Sequence, residues 1–309
     1  MTGAVTGPSR LGFGAAPLGN LYEPVADADA EAAVRAAWEA GVRYYDTAPH
    51  YGLGLSERRL GAALAGVPRA DLVLSTKVGR LLEPVDPVGD DLANGFAVPA
   101  HSRRVWDFSA DGVRRSLESS VDRLGVDRVD VVYLHDPDHH WRQAIDEAYP
   151  ALADLRDQGV VRAVGVGMNQ WRVPERFVRE TDVDVVLLAG RHTLLERGAT
   201  GLLDLCAERG VEVVAAAPFN SGLLAERVVP DGATHDYAPA PPELLARARA
   251  LARTCAAHGV DLPAAALQFP LRHPAVRSVL VGMRSAAQVR ANAAALAAPA
   301  PDALWEELA

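Results

Sequence analysis

Along this chain, short runs of β-branched and other apolar residues alternate with longer segments in which alanine, leucine, glutamate and arginine recur at helical spacing. The short runs predict strands at 11–16, 43–46, 72–77, 129–135, 160–166, 183–188, 211–216 and 278–281. The longer segments predict helices over 28–40, 56–65, 110–124, 141–158, 173–179, 202–209, 243–258 and 286–297. Eight strands, each followed by a helix, predict an α/β fold in which a parallel sheet closes into one (β/α)8 TIM barrel domain over 1–309. Glycine just past several helix ends, at Gly41, Gly125, Gly159 and Gly210, supplies the left-handed stop expected before the next strand.

Two connections are much longer than a usual strand-to-helix loop: 79–108 after the third strand and 218–242 after the seventh. Both leave the C-terminal ends of strands, where a barrel of this kind builds its active site, so both are expected to be binding loops without regular structure.

Composition narrows the partners. Hydrophobic residues make up 49% and charged residues 23% of the 309, enough for a large core. A net charge of −9 argues against nucleic acid or an anionic membrane, because no broad positive field offsets phosphate repulsion. No apolar run approaches the roughly 18 residues of a membrane span, and the residues after Met1 lack a basic and apolar leader pattern, so the chain reads as cytoplasmic. The two cysteines, Cys206 and Cys255, lie in helical patterns and read as buried thiols. A monomer or small homo-oligomer acting on a small molecule is expected.

Of 31 basic residues only one, Lys77, is a lysine. It ends the apolar third strand, where a charge is expected to be buried and paired. A lysine ammonium is a compact point charge that packs against a hydroxyl, which a guanidinium fork does not do equally well. Asp46 ends the second strand, Tyr51 follows in the next loop, and His135 ends the fourth strand. Neighbouring strands lie roughly 5 Å apart, so these four groups should meet at one rim. Lys77 beside Tyr51 would lower the hydroxyl's pKa by favouring the phenolate, Asp46 would hold Lys77, and His135 would orient a substrate oxygen. That set suits proton transfer to or from an oxygen as hydride arrives or leaves.

The run Asp46-Thr47-Ala48-Pro49-His50-Tyr51-Gly52, with Gly54, Ser56-Glu57 and Leu60-Gly61, resembles the signature of the aldo-keto reductase superfamily. The likeness continues through Ser75-Thr76-Lys77 and Val131-Val132-Tyr133-Leu134-His135 and covers nearly the whole chain. It implies NAD(P)-dependent redox at a carbonyl or alcohol, with Asp46, Tyr51, Lys77 and His135 catalytic and Tyr51 the acid/base. It further implies a cofactor held by Gly14, Asp46 and Asn169. Pro218, Ser221, Gly222 and Leu223 would hold its pyrophosphate, and Gly282, Arg284, Gln288 and Asn292 its adenosine phosphate. Where the family commonly carries a Gln and a stacking aromatic after the sixth strand, Ala189-Gly190-Arg191-His192 stands, making His192 the candidate to stack on nicotinamide. Gly282 replaces a lysine often found near the 2′-phosphate, which leans the cofactor from NADP toward NAD, although Arg284 could grip that phosphate. His50, Trp106, Phe108, His192 and Phe219 are the expected substrate walls.

The segments Trp106-Asp107-Phe108-Ser109, His135-Asp136-Pro137-Asp138 and Gly167-Met168-Asn169-Gln170 are similar to a narrower branch containing L-fucose (D-threo-aldose 1-) dehydrogenases and pyridoxal 4-dehydrogenase. That implies oxidation of a sugar hemiacetal to a lactone, or the reverse carbonyl reduction, with pyridoxal or a general aldehyde as the alternative substrate. Two rival readings stand beside it. The run His135-Asp136-Pro137-Asp138-His139-His140 could be taken for a metal site, but consecutive ligands on one loop rarely converge on one ion, and no metal is expected. A non-catalytic cofactor-binding sensor or subunit of the same fold is the other.

Overall fold

The computed structural model describes residues 5, 7, 9–235 and 238–309. Its strands in chain order are β1 (Leu11–Gly14), β2 (Tyr44–Asp46), β3 (Val73–Val78), β4 (Arg80–Pro84), β5 (Asp90–Asp91), β6 (Phe96–Pro99), β7 (Ser102–Trp106), β8 (Val131–His135), β9 (Ala163–Met168), β10 (Val185–Ala189), β11 (Glu212–Ala216), β12 (Thr234–His235), β13 (Ala238–Pro239) and β14 (Val276–Gly282). Eight of them, β1, β2, β3, β8, β9, β10, β11 and β14, pair in parallel and close into a barrel, with β14 returning to β1. Its helices are α1 (Asp27–Glu39), α2 (Leu55–Leu64), α3 (Ala110–Leu124), α4 (Trp141–Gln143), α5 (Tyr149–Asp157), α6 (Arg172–Glu180), α7 (Thr200–Arg209), α8 (Pro242–Ala257), α9 (Leu262–Gln268), α10 (Ala286–Ala297) and α11 (Asp302–Leu308).

Strand side chains alternate between two faces, and here each face has its own core. Outward positions such as Phe13, Tyr45, Leu74, Val132, Val164 and Val186 pack with the helices. Inward positions, Tyr44, Val73, Val131, Tyr133, Ala163, Val185, Leu187, Val214 and Leu280, fill the barrel. The inward register then carries a set of residues up to the C-terminal rim: Tyr44 to Asp46, Val73 through Ser75 to Lys77, Val131 through Tyr133 to His135. Pairing places Gly14 beside both Asp46 and Gly282, Asp46 beside Ser75, and His135 beside Gly167.

Several expectations shift. The first strand stops at Gly14, because Ala16–Gly19 is a 3-10 turn, and the strand expected at 160–166 lies at Ala163–Met168. The helix expected over 141–158 widens into a π turn at Ala144–Ala148 between α4 and α5. The 79–108 connection is not structureless: β4 pairs antiparallel with β7, and β5 with β6, forming a ribbon that stands over the rim. A bidentate ion pair of Arg104 with the buried Asp91 joins the two parts of the ribbon, at 2.7 and 2.5 Å. The 218–242 connection holds the small hairpin β12–β13. The helix expected at 243–258 forms as α8, but its buried residues Leu244, Ala248 and Cys255 pack with Leu304, Trp305 and Leu308 of α11 in a second cluster, away from the main core. An additional helix, α9, follows it and lies against α10. Burial pushes the Cys206 thiol up to about 12 and the Cys255 thiol up to about 11, so both stay protonated. Among the described residues no helix is long and apolar enough to cross a membrane.

Candidate active site

Lys77 lies at the centre of the rim, 2% exposed, with its ammonium donating to Asp46 Oδ2 at 2.5 Å and to the Thr47 carbonyl at 2.9 Å. Asp46 is fixed from its other oxygen, which accepts from Ser75 Oγ at 2.8 Å. Ser75 in turn contacts the Tyr44 hydroxyl at 3.0 Å, and Tyr44 meets Tyr133 at 2.9 Å, so the barrel interior braces the carboxylate from below. Tyr51 lies beside Lys77, whose nitrogen stands 4.7 Å from the Tyr51 ring centroid. The His135 ring lies 6.0 Å from that of Tyr51. The four residues expected at one rim therefore meet there.

Tyr51 is held by a tight backbone approach. The turn Ala16–Gly19 packs directly under it, and a Cβ on Gly19 would stand 2.7 Å from the Tyr51 carbonyl carbon, so only glycine fits. Thr47 Oγ1 bonds Ser56 Oγ at 2.9 Å, and Ser56 donates to the Ala15 carbonyl at 2.6 Å, tying the loop to β1 and α2. Glu57, wholly buried, accepts from Thr76 on the outer face of β3 at 2.8 Å and from Arg123 at 2.6 Å. The signature residues outside the tetrad are thus its scaffold.

Electrostatics differ from the sequence expectation in one respect. Lys77 does lower the Tyr51 pKa, but burial raises it by more, so the hydroxyl lies above its ordinary value and is a protonated acid at neutral pH. Burial works against the Lys77 charge, yet Asp46 and then Tyr51 outweigh it and hold the ammonium charged. Burial raises Asp46 too, opposed by Lys77 and Ser75. His135 is driven well below its ordinary value by burial and then by the positive charges of Arg80 and Lys77, so its imidazole is neutral. His50 is lowered to about 2 by burial, Arg80, Arg104 and Lys77.

These groups open into a cleft of about 840 Å³. Its floor is the inner rim of the barrel, including Gly14, Gly167, Met168, Leu187, Ala189, Ala216, Leu280 and Gly282, with Asn169 at its edge. Gly14, Asp46, Asn169 and Gly282 thus share one surface with the tetrad. The other expected cofactor residues flank it without lining it. Pro218 and Leu223 are buried, whereas Ser221 and Gly222 are exposed, in a loop where Ala217, Asn220 and Ser221 all have positive φ. Gln288 accepts from the Arg284 backbone at 2.9 Å and Asn292 follows on α10. The Arg284 guanidinium pairs with Glu23.

Of the five expected substrate walls only His50 lines the cleft. Phe108 is fully buried against Gly79, and Trp106 stands outside on the ribbon, stacked on His140. Phe219 packs with the two core clusters. His192 does not reach the floor: it is buried with its ring 5.3 Å from Phe269 and near His273. The walls come instead from Leu21, Tyr22, Leu92, Ala93, Asn94, Gly95 and Phe96. The β1–α1 loop and the ribbon are sewn together by the Leu21–Phe96 bridge and by Ala97 donating to the Asn20 carbonyl at 2.9 Å. Residues far apart in sequence make that wall, and only an antiparallel ribbon signal in 80–106 could have pointed to it. The acidic and histidine run after β8 diverges: Asp136 pairs with Arg80, Asp138 accepts from Gln170 at 2.9 Å, and His140 stacks on Trp106.

The model of the Aldo/keto reductase family matches residues 10–309. The chain is 50% identical over 304 residues to a D-threo-aldose 1-dehydrogenase of Pseudomonas sp, covering 97% of this chain and 92% of that one. It is 41% identical to a pyridoxal 4-dehydrogenase of Microbacterium luteolum, covering 97% and 93%. Among solved structures it is similar to the holo form of an aldo-keto reductase from Bacillus halodurans, with a TM-score of 0.73 at 27% identity, covering 97% and 92%.

Proposed function

Because the chain belongs to the aldo/keto reductase family and is an NAD(P)-dependent oxidoreductase, we propose that it oxidises the hemiacetal carbon of an aldose of the L-fucose or D-threo type to a lactone, with NAD preferred, or runs the reverse reduction. The observation that carries this reading is the buried Asp46–Lys77–Tyr51 chain beside a neutral His135 at the floor of one cleft. The 50% likeness to a D-threo-aldose 1-dehydrogenase supports the sugar, and the 41% likeness to a pyridoxal 4-dehydrogenase supports pyridoxal as the second reading.

The residues present fit a nicotinamide dinucleotide. Met168, Leu187, Ala189, Ala216 and Leu280 offer a flat, apolar floor for a planar ring, and Asn169 offers an amide donor and acceptor at its edge. When bound, the nicotinamide takes up the hydride from the sugar carbon in oxidation and supplies it in reduction. The preference for NAD is supported by Glu23, whose carboxylate on Arg284 would repel a 2′-phosphate.

Tyr51 moves the proton. In reduction its hydroxyl protonates the carbonyl oxygen; in oxidation its phenolate takes the hemiacetal hydroxyl proton. Lys77 stabilises the phenolate, and Asp46 keeps the ammonium charged and in place. Neutral His135 donates to the reacting oxygen and sets its direction. Phe96 and Leu21 keep bulk water from the reacting carbon.

The test is a screen of L-fucose, D-arabinose, L-galactose and pyridoxal with NAD and with NADP, followed by absorbance of the reduced nicotinamide. Turnover of an aldose faster with NAD supports the reading. Turnover of pyridoxal alone would replace it with the second reading, and cofactor binding without turnover of any would leave a sensor.

A further inference from the structure

Asp136 is one of three residues lining the cleft, with Tyr22 and Ala217, whose backbone is left-handed, and it is the acidic one. It follows His135 at the end of β8 with φ +47°, a left-handed conformation that non-glycine residues rarely hold, and its backbone amide donates to the Gly167 carbonyl at 3.1 Å. Aspartate is among the few non-glycine residues that enter this region, so the turn accommodates an acidic side chain here. Asp136 lines the cleft, with 29% of its side chain exposed.

Its surroundings are built. Arg80, at the start of the ribbon and only 10% exposed, ion-pairs with Asp136 Oδ2 while its guanidinium lies 4.3 Å from the Trp106 ring centroid. Among the described residues no donor bonds Oδ1 of this cleft-lining carboxylate, which leaves it as an acceptor. The His135 imidazole, Nε2 3.6 Å from Asp136 Oδ2, stands beside it. A donor on His135 and an acceptor on the carboxylate next to it in the chain match two oxygens on adjacent carbons, one accepting from His135 and the other donating to Asp136.

We infer that Asp136, positioned by Arg80, is a hydroxyl-reading subsite that binds the 2-hydroxyl of an aldose whose neighbouring carbon is the one that reacts. This rests on the sugar reading above and narrows it: the substrate class is a 2-hydroxy aldose, and an aldehyde with no hydroxyl beside the reacting carbon leaves the carboxylate unpaired.

Comparing D-arabinose with its 2-deoxy form on the wild-type protein and on Asp136→Asn separates the possibilities; asparagine tolerates the left-handed backbone, so the turn should survive. Wild type should lose about tenfold to hundredfold in kcat/KM on the 2-deoxy sugar, the range for one hydrogen bond to a charged group. Asp136→Asn should lose a similar factor on D-arabinose, mostly in KM, and almost nothing on the 2-deoxy sugar. Equal losses on both sugars would overturn the subsite in favour of a structural role. Failure of the wild type to discriminate would overturn it even if the variant did not fold. Absence of aldose turnover by the wild type would overturn both the sugar reading and this one.

Discussion

The ammonium of Lys77 sits 2.5 Å from the carboxylate of Asp46, with the two side chains 2% and 3% exposed, inside a barrel whose other basic residues are all arginine. Burying such a pair takes both charges from water, and the Coulombic gain offsets this only when the remaining bonds are satisfied. Here Ser75 and the Thr47 carbonyl satisfy them. Lysine suits this position because its point charge bonds the aspartate and the Thr47 carbonyl while standing beside Tyr51.

Lys77→Arg should therefore fold and bind cofactor but lose about 10²- to 10⁴-fold in kcat, the range for losing a positioned proton-transfer group. Lys77→Met should in addition cost about 3–5 kcal/mol of stability, because Asp46 is left buried without its partner. Steady-state kinetics with urea unfolding of both variants checks this; wild-type turnover by the arginine variant would contradict it.

In the proposed mechanism oxidation needs the Tyr51 phenolate, and burial holds the hydroxyl above its ordinary value. The phenolate fraction then grows with pH through the alkaline range, so kcat for oxidation should rise up to and beyond pH 9, by about tenfold per unit while the group stays mostly protonated. Reduction uses the protonated form and should stay flat over the same range. A pH–rate profile in both directions tests the assignment, which an oxidation rate independent of pH would contradict.

His192, out of reach of the cleft floor, leaves a stability signature instead. Its folded pKa is lowered to about 4 by burial, His273 and Arg197, against about 6.5 when unfolded. Below pH 6.5 the unfolded chain binds the extra proton, so the stability this group contributes is complete above pH 6.5 and is lost as pH falls toward 4. The slope is up to about 1.4 kcal/mol per pH unit. His192→Leu should flatten the acid limb by that amount, and should not destabilise at pH 7, since among the described residues neither imidazole nitrogen has a hydrogen-bond partner. Urea midpoints between pH 5 and 7 read it directly.

The barrel and the tetrad were legible because they are written locally: alternating strands set the period, and Asp46, Lys77 and His135 are the last inward residues of neighbouring strands. The sign of the Tyr51 shift was not, because burial is a property of the closed cleft and the sequence displays only the nearby cation. The wall of the cleft escaped for another reason. Phe96 and Leu21 meet only once the ribbon folds back over the rim, and its short polar strands carry no clear period in 80–106. Phe108 and Trp106 looked like walls as aromatics in the same loop, yet Gly79 lets Phe108 sink beneath the ribbon. The second cluster under α8 is likewise invisible to periodicity, which reports that a face is apolar and not what it packs against.

The central claim is that Tyr51 is the acid/base of a hydride-transfer site, and removing its hydroxyl alone tests that most directly. Tyr51→Phe should bind NAD with wild-type affinity, measured by fluorescence titration, while aldose-dependent formation of reduced nicotinamide falls by at least about 10²-fold. Near-wild-type turnover in that variant would contradict the account.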